Sequence, residues 1–126
     1  MGHLRDPKVL VVDDDASVRA GVQRLIRSAG FVVETFASAE DCLKAWPSDN
    51  WGCLIVDIQM PGLSGLELQT KLAALGCTVP IIFITAHDDP NARSRALNSG
   101  AADFLEKPFD DEELIAAIHA AFEADT

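Results

Sequence analysis

Short runs of unbroken apolar residues alternate with longer stretches of helical period along the whole chain. Val9-Leu10-Val11-Val12, Cys53-Leu54-Ile55-Val56 and Ile81-Ile82-Phe83-Ile84 carry no polar residue. Runs of this length, rich in β-branched residues, predict strands covered on both faces. The first strand is expected over 8–13, the third as the apolar run ending at Asp57, the fourth over 80–85 and the fifth over 102–106. Phe31 to Phe36 is shorter and more polar, as an edge strand would be.

The segments between them have helix signals. Val18, Val22, Leu25 and Ile26 share one helical face, Asp15 suits the cap before them, and Gly30 suits the position just past the end. Ser38 can cap a second helix, which must stop near Pro47. Ser64 with Glu67 makes a capping box for a third, with Leu63 and Leu68 as its hydrophobic staple, and Gly76 ends it. A fourth helix is expected over 91–99, stopping at Gly100. Asp110 with Glu113 repeats the box, Phe109 with Leu114 the staple, and Leu114, Ile115, Ile118 and Phe122 form one face of a fifth helix.

Five such units predict an α/β fold: a doubly wound five-stranded parallel sheet with five helices. Right-handed crossovers leave few topologies, of which the flavodoxin-like order 2-1-3-4-5 is expected. Ligands of such sheets bind at the carboxyl edge where strand order reverses. Here that point lies between the first and third strands, which run into Asp13-Asp14-Asp15 and Asp57.

Length and composition agree with one domain over 1–126. A chain of 126 residues buries roughly two-thirds of its unfolded surface. Residues 1–6 read as an N-terminal tail, with Met1-Gly2-His3 set aside as a candidate cloning remnant. The formal charge of -10, from 10 basic and 20 acidic side chains, argues against gripping nucleic acid or an anionic membrane. Cys42, Cys53 and Cys77 form no CxxC pair, which fits a reducing cytoplasm. No run of apolar residues is long enough to span a membrane. The last periodic segment reaches the end of the sequence, so a second domain is not expected within it.

The strand ends hold the chemistry. One aspartate closing a strand is ordinarily a turn former or helix cap, and Asp15 is read so. Asp13, Asp14 and Asp57, packed at adjacent strand ends, would repel and raise one another's pKa. A hard divalent cation relieves that, and Mg²⁺ takes few carboxylates plus phosphate and water. Thr85 and Lys107 close the fourth and fifth strands. Alone each is ordinary; together they offer a phosphoryl group a hydroxyl donor and an ammonium. Three carboxylates against one dication and one lysine are neutral, so phosphorylating a carboxylate adds charge that only rearrangement can meet. Pro108 after Lys107 permits a cis bond. Phe104 reads first as core packing and His119 as a solvated helix residue. His87 lies at the mouth of the site. Met60 to Gly65 contains glycine but lacks the GK[ST] ending of a nucleotide loop.

In combination, Val11-Val12-Asp13-Asp14-Asp15, Val56-Asp57-Ile58-Gln59-Met60-Pro61-Gly62-Leu63-Ser64-Gly65, Ile84-Thr85-Ala86 and Ala102-Asp103-Phe104-Leu105-Glu106-Lys107-Pro108-Phe109 resemble the receiver domains of two-component response regulators, CheY-like in fold. The wording of Phe83 to His87 and of Asp103 to Phe109 resembles the FixJ-like transcriptional subfamily. The resemblance implies that Asp57 is the phosphoacceptor. It implies Mg²⁺ (or Mn²⁺) held by Asp14, Asp57 and the backbone carbonyl of Gln59, with Asp13 acting through water. Thr85 and Lys107 would hold phosphoryl oxygens, and Phe104 would turn inward when Thr85 is drawn to the phosphoryl. The donor would be a phosphohistidine on a sensor histidine kinase or phosphotransfer domain, meeting the first helix beside the site. The protein would be no enzyme in the ordinary sense, yet would phosphorylate itself from small donors and dephosphorylate itself. Gln59 and His87 would set the lifetime of the acyl phosphate. The switched surface would be the fourth helix, fifth strand and fifth helix, dimerising when phosphorylated, with Arg93, Arg95, Asp110 and Asp111 in charged contacts. The output would be a DNA-binding domain absent from this chain.

Two departures stand out: Ala86 where FixJ-like chains often have glycine, and the segment Asp88-Asp89-Pro90-Asn91, which predicts a shifted start for the fourth helix. Among rivals, a phosphatase of the haloacid dehalogenase class needs an acid where Gln59 stands. A flavodoxin would not place three aspartates beside its phosphate. A receiver working as a phosphorylation-independent binding module, or one that stands alone or is linked to a kinase, remains an alternative.

Overall fold

The computed structural model describes residues 7–48, 50–87 and 89–124. The expected N-terminal tail and Asp88 lie outside them. The order is Lys8–Val12 (β1), Ala16–Ser28 (α1), Val32–Phe36 (β2), Ala39–Lys44 (α2), Trp51–Asp57 (β3), Gly65–Ala74 (α3), Ile81–Thr85 (β4), Pro90–Asn98 (α4), Asp103–Glu106 (β5) and Asp111–Ala124 (α5). The strands form one parallel sheet in the order β2-β1-β3-β4-β5, as the alternation predicts.

The unbroken apolar runs are explained by two separate cores. Side chains alternate across a strand. Leu10, Val12, Leu54, Val56, Phe83 and Phe104 therefore enter one cluster, with Cys42 of α2, Leu68 of α3 and Ala96 of α4. Val9, Val11, Ile55, Ile82, Ile84 and Leu105 enter the other, with Val22 and Ile26 of α1 and Leu114 and Ile118 of α5. Every residue of β3 is buried, whereas no residue of β2 is. Each fully buried aliphatic side chain contributes about 1.5–3 kcal/mol. Burial pushes the thiols of Cys42 and Cys53 up to about 12, so both act as small hydrophobes.

Most helix signals operate as read. Asp15 caps α1, its Oδ1 accepting from the N–H groups of Ser17 and Val18 at 2.9 and 3.1 Å, and Gly30 follows with φ +96°. Both halves of the Ser64–Glu67 box are present. At α5 the Glu113 carboxylate accepts from the Asp110 N–H at 3.4 Å. The first strand stops at Val12, one residue early, because Asp13 turns its carboxylate back to accept from the Asp15 N–H at 2.9 Å. α4 starts at Pro90 rather than 91, because Asp89 caps it and Pro90 needs no N–H partner in the first turn. The Lys107–Pro108 bond is cis, as is Trp46–Pro47. His119 is exposed but not merely solvated: its ring lies 5.2 Å from that of Phe31.

Candidate functional site

Sheet register brings the strand ends together. Val12 pairs with Val56, so Asp13 and Asp57 are the next residues on adjacent strands. Asp57 pairs with Ile84, so Thr85 lies one step further along. Lys107 donates its backbone N–H to the Thr85 carbonyl at 2.7 Å, which places it last in the row.

Asp13, Asp14 and Asp57 each turn a carboxylate oxygen to a common point, all within 4.8 Å of one another. Asp13 is fully buried and Asp57 is 7% exposed, while Asp14 is open to solvent. The Lys107 ammonium lies 3.4 Å from Asp13 Oδ2. Arg19, one turn into α1, donates from Nη1 to the Asp13 carbonyl at 2.7 Å. The Gln59 N–H donates to Asp57 Oδ1 at 3.2 Å.

Burial pushes the Asp57 carboxyl up to about 6, and the neighbouring Asp13 adds to the shift. Lys107 and the Gln59 N–H oppose it, and Asp14 raises it further. The arrangement fits a hard dication: the donors are all oxygen, Asp13 and Asp57 are buried, and the exposed Asp14 leaves room for water.

The loop after β3 is held tightly. The Gly65 N–H donates to the Ile58 carbonyl at 2.9 Å. A Cβ at Gly65 would lie 2.6 Å from the Asp57 carbonyl oxygen, so only glycine lets α3 start this close to the site. Glu40 of α2 reaches across to accept from the Leu63 N–H at 3.2 Å. The Gln59 and His87 side chains are exposed at this edge, as expected.

Thr85 is 1% exposed, and its hydroxyl faces its own loop. It donates to the His87 carbonyl at 2.9 Å and accepts from the His87 N–H at 3.2 Å. Phe104 is 5% exposed, with its ring centroid 6.4 Å from that of Phe83. The Arg93 guanidinium sits 4.8 Å from the Phe104 ring centre. Arg95, Asp110 and Asp111 are exposed.

Three contributors escaped the sequence reading, Arg19, Glu40 and Gln69, as did the contact of Arg93 with the Phe104 ring. Gln69 is buried in α3, and its amide donates to the carbonyls of Ala96 and Ser99 at the end of α4, at 3.2 and 3.5 Å. Each acts on a backbone group or ring brought near only by the fold. A polar residue on the apolar face of α3, beside Leu68 and Leu72, was the one available signal. A groove of about 600 Å³ beside the site is lined by Ser17, Val18, Gly21, Leu25, Phe109 and Asp111. No described helix is long and apolar enough to cross a membrane.

The comparisons agree with this geometry. The family described as the response regulator receiver domain matches residues 9–119. Nodulation protein W of Bradyrhizobium diazoefficiens is 49% identical over 117 residues, 93% of this chain and 52% of that protein. The transcriptional regulatory protein FixJ of the same organism is 42% identical over 113 residues, 90% of this chain and 55% of that protein. The chain thus spans about half the length of the curated relatives it matches. Among solved structures, the response regulator StyR superposes with a TM-score of 0.89 at 48% identity, covering 95% of this chain and 61% of that one. FixJ-N does so with 0.88 at 39%, covering 94% and 95%. By sequence, strand order and carboxylate edge, the chain belongs to the response regulator receiver domain family, the phosphoacceptor modules of two-component signalling.

Proposed function

We propose that Asp57 accepts the phosphoryl group, from a phosphohistidine on a sensor kinase or phosphotransfer domain or from a small acyl phosphate. The observation that carries this is the convergence of the Asp13, Asp14 and Asp57 oxygens beside Lys107. Asp13, Asp14, Asp57 and the Gln59 carbonyl would hold Mg²⁺ (or Mn²⁺), with Asp13 contributing through water. When bound, the ion neutralises charge on the carboxylates and on the transferring group.

An Asp57 carboxylate oxygen attacks phosphorus as the bond from phosphorus to the donor imidazole nitrogen breaks, and the imidazole leaves. Asp57 must be ionised for this, and Lys107 favours that form. Lys107 and the Thr85 hydroxyl then donate to phosphoryl oxygens, which requires Thr85 to leave the His87 carbonyl. Positioning and charge carry the step. Water later attacks phosphorus as the bond from phosphorus to the Asp57 oxygen breaks, releasing inorganic phosphate and restoring the carboxylate. Gln59 and His87 flank that approach and set its rate; unchanged dephosphorylation after substituting both would refute that part.

The relatives support a chain-level reading. Residues 1–126 act as one receiver module in the cytoplasm, without contacting nucleic acid or membrane. The groove of α1 beside the site receives the donor domain, and the α4–β5–α5 face dimerises on phosphorylation. The name of the FixJ relative, a transcriptional regulatory protein, supports a transcriptional output, which we read as a DNA-binding domain. A phosphorylated protein that stayed monomeric in sedimentation across a wide concentration range would remove the dimer from this account.

The direct test is intact mass after acetyl phosphate, with Mg²⁺ or with chelator, beside Asp57→Asn. One added phosphoryl that needs both the ion and Asp57 supports the reading. No adduct, together with no beryllofluoride binding, would turn it toward a phosphorylation-independent module.

A further inference from the structure

We propose that Arg19 is a positioning residue of the carboxylate site, holding the peptide between Asp13 and Asp14 so that the Asp14 carboxylate meets the other two. The inference deepens the cation-binding reading of the site and rests on it. Asp13, Asp14 and Asp57 bring one oxygen each within 4.8 Å of one another, yet they are fixed unequally. Every polar group of Asp13 has a partner. Its N–H donates to the Phe36 carbonyl at 3.2 Å. Its Oδ1 accepts from the Asp15 N–H at 2.9 Å and its Oδ2 from Lys107 at 3.4 Å. Its carbonyl accepts from Arg19 Nη1 at 2.7 Å. Asp14 is exposed, and no described residue donates to its carboxylate. Its place is therefore set by the backbone on either side of it.

Arg19 holds both sides. Its guanidinium takes the carbonyl just before Asp14, and its own N–H donates to the carbonyl of Asp15, just after it, at 2.9 Å. A charged donor makes the stronger kind of hydrogen bond, and this one is partly buried. The helix gives no separate reason for the residue, because a cation near the start of α1 opposes the helix dipole. Nor is Arg19 the counter-ion of the Asp13 carboxylate, a place that Lys107 fills. Its contact acts on the orientation of the Asp13–Asp14 peptide.

Position and charge make opposite demands here. A guanidinium beside the Asp13–Asp14 peptide repels an approaching dication, so by charge its removal would tighten cation binding. By position its removal frees the peptide, lets the Asp14 carboxylate drift from the other two and loosens binding. Asp14 is the donor that can be lost in this way, because Asp13 and Asp57 are buried. The sign of the change in cation affinity therefore tells the two roles apart.

The test is calorimetric titration of the full 126-residue chain with Mg²⁺ alone, beside a thermal melt in chelator that checks folding. Arg19→Gln should raise the Mg²⁺ Kd about 10-fold, the low end for losing a group that orients a metal ligand. Arg19→Lys, which keeps a cation and a donor, should recover part of the affinity. In an Asp14→Asn background, Arg19→Gln should change the Kd by less than about 2-fold, because the carboxylate it places is gone. An equal or lower Kd in Arg19→Gln, or the same loss in the Asp14→Asn background, overturns the proposal and leaves the cation site standing. Arg19→Met repeats the comparison should Arg19→Gln melt too low to titrate. No Mg²⁺ uptake by the unsubstituted chain overturns the cation reading itself, and the proposal with it.

Discussion

The Lys107 ammonium lies 3.4 Å from the carboxylate of Asp13, a residue with no solvent exposure. Lys107 therefore serves the resting protein as the counter-ion of a buried aspartate. Lys107→Met leaves that charge unmatched, and without divalent cation should destabilise the fold by about 1–3 kcal/mol. Adding Asp13→Asn should return most of the loss, which urea unfolding of the double-mutant cycle checks. Phosphorylation by acetyl phosphate should slow on the order of 10²-fold, as for loss of one preorganised donor.

Asp57 gives the fold a pH dependence of unusual sign. Its folded pKa is about 6 against an ordinary 3.8, so between those values the folded state holds a proton that the unfolded chain has lost. Stability from the protonated form is complete below the lower value and is lost as pH rises through the higher one. At neutral pH with chelator, Asp57→Asn should be more stable than the unsubstituted protein by about 1–2 kcal/mol. The gain should shrink as pH is lowered toward about 5. Urea midpoints at the two pH values decide it; a constant gain would mean that the charge is not its cause.

A cation held by the aspartates should stabilise the fold by mass action. Mg²⁺ at about 100 times its Kd adds ~2.7 kcal/mol, and chelator removes it. Asp14→Asn should weaken the effect while changing stability little in chelator, because Asp14 is exposed. Thermal melts over a Mg²⁺ titration read both quantities.

Gly65→Ala places a Cβ 2.6 Å from the Asp57 carbonyl oxygen. Backbone must move, at about 1–3 kcal/mol, and the movement is transmitted to the phosphoacceptor. Loss of stability together with slower phosphorylation is expected. Loss of stability alone would show that Asp57 is insulated from the start of α3.

Gln69→Leu removes the donor to two carbonyls at the end of α4. A cost of about 1–3 kcal/mol is expected for the unmatched groups. Hydrogen exchange should quicken in α4 before it does in α1.

The sheet was legible because its signals are local. Apolar runs such as 81–84 mark strands with two covered faces, and the residues that end them mark the edge. Asp13, Asp57, Thr85 and Lys107 were placed by that reasoning, and the Ser64–Glu67 box fixed the start of α3. What escaped is chemistry joining segments distant in sequence. No spacing rule links Arg19 Nη1 to a carbonyl six residues back, Glu40 to Leu63, or Arg93 to a ring on β5. The direction of the Thr85 hydroxyl was equally hidden, because it depends on the His87 backbone and not on residue type.

The alternation of side chains across the strands has one more result. Phe104 and Leu105 are neighbours in sequence yet belong to different cores. The sheet is thus a partition with one shared rim. A rearrangement at that rim can be felt by α4 on one side while α1 and α5 keep their packing on the other. The surface beside α1 and the surface of α4 thus rest on different cores that share one sheet.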